Sequence, residues 1–210
     1  WKSCIPALMC LLIAIGMTGS VWVSQEPSLV GLWEALDLSG SVWAHWWTAD
    51  ALARGANPFV GTHSFLPFGL NPVFQYNLLD AIIGAPWVWL AGVQHGYNLA
   101  CVTALTTTGL AAYHLARTTG ITRSGALLSA LIIESSSFVA LELETGRISQ
   151  VTLVFLLLAL AFLIRVIERP HDNAQAIGLG LAAAATALVY WYFGFALILA
   201  SIILLIGHRK

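Results

Sequence analysis

Two short polar runs hold the residues whose types and spacing can do chemistry. The first stretches from Asp37 to Pro72 and contains Asp37, His45 and Asp50 among Trp43, Trp46 and Trp47; the second, Glu142-Leu-Glu144-Thr-Gly-Arg147, comes much later in the chain. A carboxylate placed like Asp37 takes a proton from an attacking hydroxyl, and a position close to a membrane brings it to a lipid-borne substrate. The competing reading is structural: Asp37-Leu-Ser39-Gly40 precedes a helix, where short polar side chains accept unpaired backbone N–H groups. Arg147 offers a planar fork that holds two oxygens of a phosphate at once, and a salt bridge to Glu142 or Glu144 is the alternative use of the same group.

Further residues admit similar pairs of readings. Glu134, followed by Ser135-Ser136-Ser137, falls in the middle of a hydrophobic run; it either bonds to a neighbouring helix as a neutral acid or lines a watery cavity. Tyr190-Trp191-Tyr192-Phe193-Gly194-Phe195 reads as an interfacial aromatic belt, or as rings that stack on a sugar. The histidines at 45, 63, 95, 114, 171 and 208 form no zinc-type spacing, although His45 with Asp37 or Asp50 admits a divalent cation. Cys4, Cys10 and Cys101 all lie in hydrophobic segments and provide neither a disulfide framework nor a metal motif. No Gly-rich nucleotide loop or serine-hydrolase elbow is present, and no basic stripe marks a nucleic-acid surface.

The elements that must position these residues are membrane helices. Charged residues make up 9% of the chain and apolar ones 59%, with mean hydropathy +0.82, which sets it apart from soluble domains. Residues 4–23 form a first span, with a cleaved signal peptide as the competing reading. Short helices over 28–37 and 41–54 are expected to lie along the membrane surface, the second ended by Gly55-Ala56-Asn57-Pro58. Segment 78–94, with Asp80 and Pro86 inside it, decides the topology. If it dips without crossing, five further spans follow at 97–116, 126–141, 149–167, 174–190 and 193–207. Lys2, Arg117, Arg123, Arg165, Arg169, Arg209 and Lys210, seven of the nine basic residues, then share the inner side, leaving Arg54 and Arg147 outside. The fold class is thus all-α: one polytopic transmembrane bundle over 1–210, with a first outer loop at 24–96 that carries juxtamembrane helices. A chain that begins at Trp1 and ends directly after a hydrophobic run reads as a piece of a longer one.

The order of these features resembles a known family. One amino-terminal span leads to an outer loop with Asp37, then a Trp-rich helix ending Ala51-Leu52-Ala53-Arg54-Gly55-Ala56-Asn57-Pro58-Phe59. A Pro67-Phe68-Gly69 turn follows, then a segment ending Tyr97-Asn98 before a span that finishes in arginine. Over about residues 5–165 this is similar to the polytopic GT-C glycosyltransferases, in particular bacterial members that use polyprenyl-phosphate sugars. The resemblance implies a catalytic acid at Asp37, with Asp50 as second candidate, and another functional acid in the loop of Glu142 and Glu144. Where the family often has paired acids, this chain has Asp37-Leu38-Ser39. Catalytic roles then fall to Asp37 and Glu144, and substrate binding to Arg147, His45, Asp50 and Glu142. The implied partners are a lipid-linked sugar donor and a glycan, lipid or protein acceptor at a plasma or inner membrane.

Two other functions are compatible with the same residues. A transporter or flippase would use Glu134 and segment 78–94 for coupling and gating, and a non-catalytic scaffold would keep the helices without the chemistry.

Overall fold

Apolar runs with few charges leave the backbone to satisfy itself, and here it does so as helices. The computed structural model describes residues 4–26, 28–32, 34–61 and 78–208, with the side chains of Leu36 and His208 excepted. Lys2, Trp33, His63, the Pro67-Phe68-Gly69 turn, Arg209 and Lys210 lie outside the described residues. The helices are α1 (Ile5–Met17), α2 (Gly19–Val23), α3 (Leu36–Ala53), α4 (Leu78–Thr118), α5 (Arg123–Glu134), α6 (Ser137–Glu144), α7 (Ile148–Val151), α8 (Val154–Glu168), α9 (Asn173–Val189) and α10 (Trp191–His208). The chain is an all-α helical bundle.

Three stretches are long and apolar enough to cross a membrane: Leu78–Thr118, Arg123–Glu144 and Ile148–Glu168. Their length and composition make this a membrane protein. Ile5–Met17, Asn173–Val189 and the Trp191–Gly207 part of α10 are shorter apolar stretches. Two of the three long stretches are interrupted where the sequence predicts continuous spans. At the α5–α6 break, Ser135 Oγ donates to Leu131 O at 2.7 Å and Ser136 caps the next helix by accepting from Val139 N. Serine hydroxyls compete for backbone partners in this way and favour a helix end. At the α7–α8 break the hydroxyl of Thr108 stands in for lost helical bonds, donating to Val151 O at 2.9 Å and accepting from Leu153 N at 3.0 Å.

Helix α4 is a hairpin. Gly92 has φ 77° and ψ 171°, a backbone region essentially reserved for glycine. A Cβ on Gly96 would stand 2.5 Å from Val88 Cα, and one on Gly84 would stand 3.2 Å from Ala100 Cβ. In an unbroken helix the latter pair would be separated by about 24 Å, so arm 78–91 folds back along arm 93–118. The first arm alone is about 21 Å long, short of the roughly 30 Å needed to cross.

Two expectations for the first loop need correction. Residues 28–32 form an extended strap instead of a helix. Val30 N donates to Asn98 Oδ1 at 3.0 Å, Asn98 Nδ2 and Gln94 Nε2 donate to Ser28 O at 3.0 and 3.1 Å, and Leu32 N donates to Glu144 O at 2.7 Å. Those bonds hold the backbone groups a helix would use. Trp47, expected at the headgroup level, is instead in the core, 1% exposed, with its indole N–H donating to Pro58 O at 2.9 Å. The end of the second helix is as the sequence predicts: Gly55, at φ 65°, and Ala56 donate back to Leu52 O and Ala51 O in a Schellman closure.

Candidate functional site

The second polar run is shaped by a helix ending. Helix α6 closes at Thr145, and Gly146, at φ 78°, donates to Leu143 O while Arg147 donates to Glu142 O at 2.8 Å. This is the same closure that ends α3, and it sets Arg147 just past the turn. Helix α3 passes directly over it: a Cβ on Gly146 would meet Leu38 Cα at 2.4 Å, and Ser41 Oγ donates to Gly146 O at 2.6 Å. Only a glycine lets the two backbones approach so closely.

That crossing brings together residues 110 positions apart. Arg147 Nε donates to Asp37 Oδ2 at 2.6 Å, and Arg147 Nη1 lies 3.5 Å from Glu142 Oε2. Asp37 and Arg147 are about half-exposed, whereas the Glu142 side chain is 9% exposed. The hydrogen bond to Asp37 pushes the guanidinium further up from an already high value, against a smaller opposing effect of burial. Asp37 is not the cap of α3: Ala35 holds that position without a side-chain bond, and Asp37 sits in the first turn, where the helix dipole favours negative charge. The α9–α10 junction completes the surroundings, with Tyr190 inside the electrostatic reach of both Glu142 and Arg147. Tyr190 packs edge-on against Phe193, at 4.9 Å between ring centres.

The remaining sequence candidates are not gathered here. Glu144 is exposed, and its side chain makes no ion pair or hydrogen bond among the described residues; its carbonyl, not its carboxylate, ties down the strap. Asp50 pairs with Arg54 one turn along α3, and that guanidinium lies 5.5 Å from the Trp47 ring. His45 is about 12 Å along the helix axis from Asp37. It is fully buried against the hairpin: Nδ1 is 2.8 Å from Ser41 O, the ring meets Tyr97 edge-on at 5.3 Å, and Gly84 has no side chain where the imidazole sits. Burial pulls its pKa down to about 4, against the raising effect of the Ser41 carbonyl.

These positions also answer the question of a divalent cation. His45 joins neither Asp37 nor Asp50, and no group of three or more His, Cys, Asp or Glu is arranged to hold a metal among the described residues. The two carboxylates that do converge have a guanidinium between them, which repels a cation. The residues therefore do not fit a divalent ion.

Chemically, the cluster combines a half-exposed carboxylate, a cation able to hold phosphate oxygens, a buried acid that positions that cation, and adjacent aromatic rings. Neither the closeness of Tyr190 nor the part of Gly146 is visible from sequence spacing, although Thr145-Gly146-Arg147 does carry a helix-stop signal. No protein-family model, curated protein or solved structure matches this chain. The class defined by fold and site is an all-α membrane bundle with an Asp-Arg-Glu cluster where α3 crosses the α6–α7 turn.

Proposed function

We propose that this protein is a membrane glycosyltransferase that moves a sugar from a polyprenyl-phosphate donor to an acceptor hydroxyl. The observation that carries the reading is the 2.6 Å contact between Asp37 and Arg147, because it unites the acid of one loop with the cation of the other. Arrival of the donor phosphate competes for the Arg147 guanidinium and frees the Asp37 carboxylate. The acceptor oxygen then attacks the anomeric carbon, its proton passes to Asp37, and the carbon–oxygen bond to phosphate breaks with its electron pair leaving on the lipid phosphate. Arg147 stabilises that growing charge, held in place by Glu142. The site faces the outer side of a plasma or inner membrane in a multi-pass arrangement, opposite Arg117, Arg123, Arg165 and Arg169.

The test is sugar transfer from a labelled polyprenyl-phosphate sugar in membranes that contain the protein. Asp37→Asn lowers transfer by about 10²- to 10⁴-fold, the range for a lost general base, with expression unchanged. Transfer by Asp37→Asn at the wild-type rate would refute this role for Asp37.

A transporter is the second reading, and Glu134 favours it. Its carboxyl is 0% exposed at the α5–α6 break, where Gly109 leaves room for it beside Cys10. Buried acids at broken membrane helices mark ion paths in transporters. Uptake or efflux lost in Glu134→Gln, with no sugar transfer by the wild type, would put this reading first.

A further inference from the structure

Where the hairpin packs against the α7–α8 stretch it leaves a cavity of about 140 Å³. Ala100, Ala104 and Ile148 form the buried part of its wall, and Ile83, Trp87 and Phe155 the more exposed part. Asp80 and three threonines also border it, yet the surface facing the space is almost wholly apolar. The buried Oδ1 of Asp80 has no surface open to it. Thr103 donates its hydroxyl proton to Leu99 O at 2.8 Å, Thr107 to Thr103 O at 2.7 Å and Thr152 to Ile148 O at 2.8 Å. Each hydroxyl is thus spent on a carbonyl four residues back in its own chain segment.

Such a surface decides what can fill the space. A buried water needs about two to four polar partners, and this wall does not offer them. An apolar cavity of about this size, roughly 150 Å³, stays free of water and accepts a hydrocarbon such as benzene. A hydrocarbon that enters gains dispersion contacts which an empty lining lacks. Its source follows from where the walls lie: they belong to Leu78–Thr118 and Ile148–Glu168, two of the stretches long and apolar enough to cross a membrane. Ile83 is 40% exposed, and Trp87 and Phe155 are partly exposed, so the apolar wall continues from the cavity to the surface of these stretches.

We propose that this cavity is a binding site for the end of a membrane lipid's hydrocarbon chain. The chain enters past Ile83 and Phe155, and its last carbons lie against Ala100, Ala104 and Ile148. There it braces the hairpin against the α7–α8 stretch. The proposal does not rest on sugar transfer.

The experiment reconstitutes the whole chain in phosphatidylcholine vesicles that include a phosphatidylcholine with a diazirine at the terminal carbon of one acyl chain. After irradiation, digestion and mass spectrometry locate the label. It is expected on Ala100 and Ile148, which are 5% and 3% exposed, as well as on Leu128 and Ile132, which are 59% and 60% exposed on α5. Ala104→Leu fills the cavity and removes the label from Ala100 and Ile148, while Leu128 and Ile132 keep theirs and report that the bundle is intact. Benzene added to the wild type competes for the same space and lowers the label at Ala100 and Ile148 alone. A wild type labelled at Leu128 and Ile132 but not at Ala100 or Ile148 overturns the proposal. Label at Ala100 and Ile148 that benzene leaves unchanged overturns it equally, and that comparison stands even where Ala104→Leu does not fold.

Discussion

Gly146→Ala tests how the candidate site is held together. The substitution forces a side chain into φ 78°, where an L-residue loses about 1–2 kcal/mol. The new methyl also arrives 2.4 Å from Leu38 Cα and 2.7 Å from Leu38 N. These are backbone atoms, so α3 must move away, and overpacking of that kind costs about 1–3 kcal/mol. Together the two effects destabilise the protein by about 2–5 kcal/mol. Arg147→Ala loses a half-exposed ion pair to Asp37, worth about 0–1 kcal/mol after solvent screening, and a long contact to the buried Glu142, worth about 1 kcal/mol more. Denaturant unfolding in mild detergent, followed by tryptophan fluorescence, should therefore rank Gly146→Ala below Arg147→Ala in stability, with sugar transfer lost in both. Because the clash is with backbone, adding Leu38→Ala should not restore Gly146→Ala. Equal stability of the two single variants, or rescue by Leu38→Ala, would refute the idea that close backbone approach builds the site.

Two further predictions concern the supports of α3 and the strap. His45 has a pKa near 4 when folded, below its ordinary 6.5, so it is held neutral and its contribution to stability is complete above pH 6.5. As the pH falls from 6.5 toward 4 the unfolded chain binds the proton first, and the protein loses up to about 3 kcal/mol relative to His45→Gln; parallel stability curves for the two proteins would contradict this. Asn98→Leu leaves the Val30 N–H unpaired and removes one donor from Ser28 O, at a cost of about 1–3 kcal/mol. Hydrogen exchange should show faster exchange at Val30 in that variant while amides within α8 keep their protection.

The helical architecture was legible because long hydrophobic runs report it directly. The end of α3 was legible for a local reason, since Gly55 followed by Asn57-Pro58 is a stop signal that needs no tertiary partner. The strap at 28–32 was not. Trp33, Glu34 and Asp37, which follow it in sequence, imitate an amphipathic helix over 28–37, while its real partners, Asn98, Gln94 and the Glu144 carbonyl, lie far along the chain. The surroundings of His45 were hidden in the same way. A histidine among tryptophans and near acids looks like a site residue, but the glycine that makes a place for it, Gly84, is in another helix. Asp37 stands out in the sequence by its place after the first hydrophobic run, yet its partner was not decided by spacing, because Arg147 had Glu142 and Glu144 much closer in sequence.

On the proposed sugar transfer, the choice Arg147 makes has a functional meaning. If the pair existed to hold the fold, it would be a weak device, for exposed ion pairs contribute little. The crossing is already fixed by Gly146 against Leu38 and by the Ser41 hydroxyl on the Gly146 carbonyl. The backbone closure also sets where Arg147 begins, before its side chain forms any contact. The fold thus stations Asp37 opposite a cation at almost no benefit to its own stability, and both groups remain half-exposed to an incoming ligand. A phosphate that takes over the guanidinium loses little to the broken ion pair and leaves behind a carboxylate ready to accept a proton. That asymmetry, a firmly held backbone beneath a weakly held charge pair, is what ligand exchange at this site requires.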